Sequence, residues 1–149
     1  MRTWILAILL LTSCNITSPS SGQEKEVRIS VDRSSYSMGD TIVVDVHNGL
    51  DSLLTTHDHQ SFCSIARLDR ATPVGWDDAG PCNSLAPTRQ VSIASGESNS
   101  FRLPVVASPD AYPAVTQTGT YRWEFIYSVG PHFSFSRSAH VLSGTFVVQ

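Results

Sequence analysis

Basic charge is scarce in this chain. Ten Lys and Arg face 13 Asp and Glu over 149 residues, the formal net charge is −3, and Lys25 is the only lysine. No basic stripe is available to neutralise phosphates, so nucleic acid is not expected as a partner. Long apolar runs are also missing. The stretch Trp4 to Leu11 is eight residues, where a helical crossing of a bilayer needs about 20. Signatures of chemistry are absent too: there is no Gly-x-Ser-x-Gly, no His-Glu-x-x-His, no P-loop and no dinucleotide fingerprint. No catalytic residue and no cofactor is therefore assigned. With 41% hydrophobic and 15% charged residues the chain still has the material for one packed core, which excludes collagen, coiled coil and disordered classes.

The first fourteen residues read as an address. Met1-Arg2-Thr3 is a short basic start, Trp4 to Leu11 is an apolar h-region, and Leu11-Thr12-Ser13-Cys14 closes it. That ending resembles the lipobox of bacterial lipoproteins. The resemblance implies a diacylglycerol on the Cys14 thiol, cleavage before Cys14, and a domain held on a membrane without spanning it. Acyl chains contribute about 0.8 kcal/mol per buried methylene, so two or three suffice as an anchor. It also implies a cell-envelope location facing the periplasm or exterior, with Asn15 in the second mature position permitting outer-membrane sorting. Residues 1–13 are thus expected as a lipoprotein signal peptide. Residues 14–25, rich in Ser, Thr, Gly and Pro, are expected as a lipidated flexible tether. With Cys14 given to lipid, Cys63 and Cys82 remain; in an exported protein they are expected to form a disulfide, a metal site lacking any Cys-x-x-Cys pair being the weaker alternative.

From Glu26 onward apolar residues recur with period two, the signature of strands. Val27, Ile29 and Val31 form one; Ile42, Val44 and Val46 a second; Phe62 to Leu68 a third; Val91 and Ile93 a fourth. Phe101, Leu103 and Val105 follow the Ser95-Gly96-Glu97 turn as a fifth. Thr120 to Val129 is the longest, and His140 to Val148 ends the chain. Asn48 to Gln60 and Ser108 to Thr118 carry few strand signals and are expected as loops. About seven strands over residues 26–149 predict an all-β, two-sheet sandwich.

The order of punctuation sharpens this. Tyr36-Ser-Met-Gly39-Asp40, a β-branched strand ending at His47-Asn48, two cysteines around Trp76, and Gly119-Thr-Tyr121-Arg resemble the immunoglobulin-like domains of bacterial lipoproteins and surface proteins. The resemblance implies a fold and no reaction. Tyr121, behind Gly119, is expected as a tyrosine corner: buried, its hydroxyl bonded to upstream backbone, with Tyr121, Trp123 and Phe125 inward and Arg122 and Glu124 outward.

Two clusters invite chemistry. His57 and His59 in His-x-His spacing would present two imidazoles to copper or zinc, with His47, His132 or His140 as a third. Asp77-Asp78 after Trp76 would offer two carboxylates to a cation, although neighbouring acids in a turn are ordinarily just solvated. The function expected is a lipid-anchored, non-enzymatic binding or structural module. Its partners are the membrane, through Cys14, and an envelope protein or glycan. The alternative is a metal-binding or redox envelope protein built on the His-x-His site.

Overall fold

A computed structural model describes residues 25–59, 63–80, 87–108 and 113–149. Eleven strands run through it: β1 Val27–Val31, β2 Ser35–Tyr36, β3 Thr41–Asn48, β4 Leu54–His59, β5 Arg67–Thr72, β6 Gly75–Asp78, β7 Pro87–Ile93, β8 Ser98–Pro104, β9 Gly119–Val129, β10 Ala139–Leu142 and β11 Phe146–Val148. One 3-10 turn, Phe135–Arg137, interrupts them. They form two sheets. The smaller has the order β1-β3-β8, all antiparallel.

The larger sheet is organised by β9. Along one edge of β9 lie β11 and then β10; along the other lie β5 and then β4. Strand β6 extends β5, and β7 extends β4. Strand β2 joins β11 in parallel, so the chain crosses from the small sheet to the large one between β1 and β2. Asp32 holds that crossing. Its carboxylate accepts the Val43 amide at 2.8 Å and the Tyr36 hydroxyl at 2.7 Å. Burial opposes the charge, but those two hydrogen bonds, with one from its own backbone and the neighbouring Arg33, together outweigh it and keep the Asp32 pKa below its ordinary value.

Alternation accounts for the core. On β3, Ile42, Val44 and Val46 are fully buried while Thr41, Val43, Asp45 and His47 face out. Facing them across the interior, β9 contributes Tyr121, Trp123 and Phe125, joined by Leu54, Leu68, Ile93 and Phe146 from its neighbours. Phe101 meets Trp123 edge-on, 5.1 Å between ring centres, and ties the two sheets together. Two sheets of this order, antiparallel except where β2 joins β11, make an immunoglobulin-like sandwich.

Several expected boundaries need correction. Asn48 to Gln60 is not simply a loop: Leu54–His59 is β4, paired with both β7 and β9. The period-two signal is hidden because the residues buried after Leu54 are polar: Thr55, Thr56 and Asp58. Thr56 donates to the Ile126 carbonyl at 2.7 Å and Asp58 accepts from Arg89 at 3.0 Å. Conversely, the Phe62 to Leu68 strand is displaced. Ile65 and Ala66 are buried but lie in a bend, and the continuous strand begins at Arg67. The last strand is two, because the turn at Ser143-Gly144-Thr145 breaks it while both halves stay on β9.

Candidate interaction surface

The face of the large sheet turned away from the core carries a connected set of charges. Strand alternation sends Arg67 and Asp69 of β5 and Arg122 and Glu124 of β9 to this side, and antiparallel register sets Arg67 opposite Glu124 and Asp69 opposite Arg122. Asp69 is 1% exposed and accepts from Arg67 Nε at 2.9 Å and Arg122 Nε at 3.3 Å. Glu124, also buried, pairs with Arg67 and lies 2.7 Å from His140 Nδ1 of β10. The Arg122 guanidinium sits 4.2 Å above the Trp76 ring of β6.

A buried carboxylate without partners would be costly, and the planar forks of the two arginines meet that demand while closing over it. Burial works against the charge on Arg67, yet its hydrogen bond to Asp69 and the fields of Asp69, Glu124 and Asp78 outweigh it and raise its pKa. A fixed row results, Trp76–Arg122–Asp69–Arg67–Glu124–His140, presenting an indole and guanidinium edges. It holds no serine, threonine or cysteine nucleophile, and it suits recognition by stacking and planar hydrogen bonding. Sequence reasoning missed it. The usable signal was Arg67-x-Asp69 and Arg122-x-Glu124, two alternating charge pairs of the same order on strands destined to run antiparallel.

At one pole of the sandwich, residues Tyr121 and Gly119 sit together. Tyr121 is 1% exposed, its hydroxyl donates to the Gln117 carbonyl at 2.7 Å, and burial raises its phenol pKa. Gly119 has φ +149°, and a Cβ there would stand 2.8 Å from Arg70 Nε, so both backbone and space favour glycine. Tyr36 mirrors Tyr121 from β2. Its ring meets Phe146 edge-on at 5.5 Å while Tyr121 stacks on Phe146 at 5.8 Å. Burial and the Asp32 carboxylate push the Tyr36 phenol up to about 12.

Other candidates are dispersed. Cys14 and Cys82 lie outside the described residues; Cys63 is buried and takes part in a disulfide. Cys63 borders a cavity of about 170 Å³ beside the Asp58–Arg89 pair. His57 is on β4, its ring edge-on to Phe133 at 4.8 Å, and its buried Nδ1 has no hydrogen-bond partner among the described residues. The His59 side chain lies outside them. His47 Nδ1 is 3.1 Å from Ser98 Oγ, and His140 is engaged by Glu124. Among the described residues no three His, Cys, Asp or Glu converge as metal ligands would. Asp77 and Asp78 are successive on β6 and so project to opposite faces; they do not form one carboxylate pair.

No protein-family model matches the chain, and no curated protein matches it. Among solved structures it is similar to the "ASH / PapD-like domain of human CEP192 (PapD-like domain 7)", at 14% identity, over 97% of this chain and 96% of that one, with a TM-score of 0.36. A similarity of that size carries no argument, and the sandwich assignment rests on the strand pairing itself.

Proposed function

We propose that the chain is a lipid-anchored, non-enzymatic module of a bacterial cell envelope, which binds a protein or glycan partner through the outer face of its large sheet. The observation that carries the reading is the charge row from Trp76 to His140. It buries two carboxylates on a sheet face the core does not use, and replacing such groups by apolar residues is often neutral or stabilising for a fold. Retaining them there fits a surface kept for recognition. The lipobox-like Leu11–Cys14 run, followed by a short tether and a strand beginning at Val27, supports the anchor. Pairing of Cys63 with Cys82, as expected in an oxidising envelope, belongs to the same reading.

The anchor is tested by expressing the full chain in a bacterial host and fractionating wild type beside Cys14→Ser. Wild type should partition to the membrane with the mass of an acylated Cys14, and the variant should be released or remain uncleaved. Identical processing and partition of the two overturns the anchor. The face is tested by photo-crosslinking from position 76 on intact cells. A discrete adduct lost in Arg122→Glu supports it; adducts that persist unchanged in that variant overturn it.

A further inference from the structure

The first described residue, Lys25, pairs with Asp51 in the connection between β3 and β4, and the Gly49 amide donates to Glu26 at 2.9 Å. The Gly130 amide donates to Leu53 in that same connection at 2.8 Å, so the turn leaving β9 stands at the pole where the N-terminal segment emerges. Here the surface becomes apolar. Val129 is 57% exposed and Phe135 is 72% exposed.

Phe135 is held out by construction. Its ring stands edge-on to Phe133, 4.8 Å between centres, and Phe133 is braced on His57. The segment beneath is clamped: Ser134 N and O both bond Ser128 Oγ, at 2.9 and 3.1 Å, and Gln90 bonds the Pro131 carbonyl and the Phe133 amide. A segment tied down this firmly, with its largest ring facing solvent, is pre-organised to meet something outside the domain.

We propose that this pole is a membrane-contacting face, with Phe135 and Val129 entering the interfacial layer of the leaflet that holds the lipid on Cys14. The proposal rests on the anchor reading, and chain length decides between the poles. Residues 15–25 span about 40 Å at full stretch and about 18 Å as a flexible coil. The domain along β9, eleven residues, is about 35 Å long. At coil dimensions a tether of that length would keep the Lys25 pole near the bilayer, while the opposite pole, with Val74 at 93% exposure, would reach it only with the tether almost taut.

Energy sets the character of the contact. Burying one Phe and one Val is too little to hold a free domain on a membrane. A short tether supplies an effective concentration in the millimolar range, at which so weak a contact is populated. Arg137, exposed two residues beyond Phe135, adds attraction to anionic headgroups.

The test uses the full acylated chain in vesicles of phosphatidylethanolamine and phosphatidylglycerol, with lipids carrying a quencher in the acyl chain. An environment-sensitive dye is placed at Ser136→Cys and, as the distant control, at Val74→Cys, in protein whose native disulfide is intact. Quenching at 136 should be several-fold that at 74. Adding Phe135→Ser with Val129→Ser should bring it down to the control level, with thermal melting matching the parent. Equal quenching at the two positions, or quenching at 136 that the double substitution does not move, overturns the proposal. Intact mass separates the two failures. Absence of lipid on Cys14 removes the anchor and this contact together, whereas lipid present with the 136 dye in water removes only the contact.

Discussion

The two sheets solve the same problem with different materials. The small sheet is aliphatic within, apart from Phe101, and plain without. Ile42, Val44, Val46 and Leu103 fill its inner face, while its outer face carries isolated contacts such as Ser100 to Asp45 at 2.6 Å. The large sheet is aromatic within, with Tyr121, Trp123, Phe125, Tyr36 and Phe146, and its outer face buries Asp69 and Glu124 under arginines. A sheet whose outer face is only wet tolerates change there. A sheet that buries charge on its outer face has committed that surface to fixed geometry, so the two should respond differently to equivalent substitutions.

The largest expected effect is inside. Trp123→Ala should cost about 3–5 kcal/mol, against about 2–5 kcal/mol for Ile42→Ala, both read from urea unfolding. A tryptophan variant no weaker than the isoleucine one would end the argument that β9 organises the core. Next comes the outer face. Asp69→Ala should destabilise by about 1–3 kcal/mol, because it leaves two arginines without their shared acceptor, and partial exposure of both arginines keeps the loss below that of a fully buried pair. Asp45→Ala, the small-sheet counterpart, should stay within about 0.5 kcal/mol. Equal losses would erase the distinction between the two surfaces.

Tyr121→Phe should remove about 1 kcal/mol by stranding the Gln117 carbonyl, with the strand spectrum unchanged. A further effect is in alkali. With the Tyr36 phenol at about 12 in the folded protein and about 10 unfolded, only the unfolded chain loses that proton between those values. The tyrosine contribution to stability is therefore flat below about pH 10 and falls as pH rises toward about 12, with Tyr121 and Tyr127 adding to the same slope. Denaturant midpoints across that range should fall less steeply in Tyr36→Phe; an unchanged slope would detach Tyr36 from the effect.

The same contrast governs what could be read in the residues alone. Strands β1, β3 and β8 alternate aliphatic with polar residues, and the pattern locates them within a residue or two. Strand β9 was equally plain, since its three inward aromatics are separated by Arg122 and Glu124. Strand β4 was invisible because Thr56 and Asp58 point inward and are satisfied by partners far away in sequence. Strand β5 hid for a related reason. Its outward Arg67 and Asp69 are charged yet half-buried and buried, so polarity ceased to report exposure. The candidate surface was illegible on the same ground: Trp76 and Asp78 were visible, but only the register of β5 against both β6 and β9 brings them to Arg122 and Asp69.

The pairing of β2 with β11 has a mechanical consequence. The N-terminal end of β1 lies at the pole of Lys25 and Asp51, whereas the Gln149 amide bonds the Tyr36 carbonyl at the opposite pole. A pull between an attachment at Lys25 and a load at Gln149 runs along the strands. It meets the hydrogen bonds of β1 with β3 and of β11 with β2 and β9 in shear, loaded all at once instead of one after another. A domain stitched in this way resists extension along its own axis, and its lifetime under load is set by the rate of forced unfolding, not by equilibrium stability.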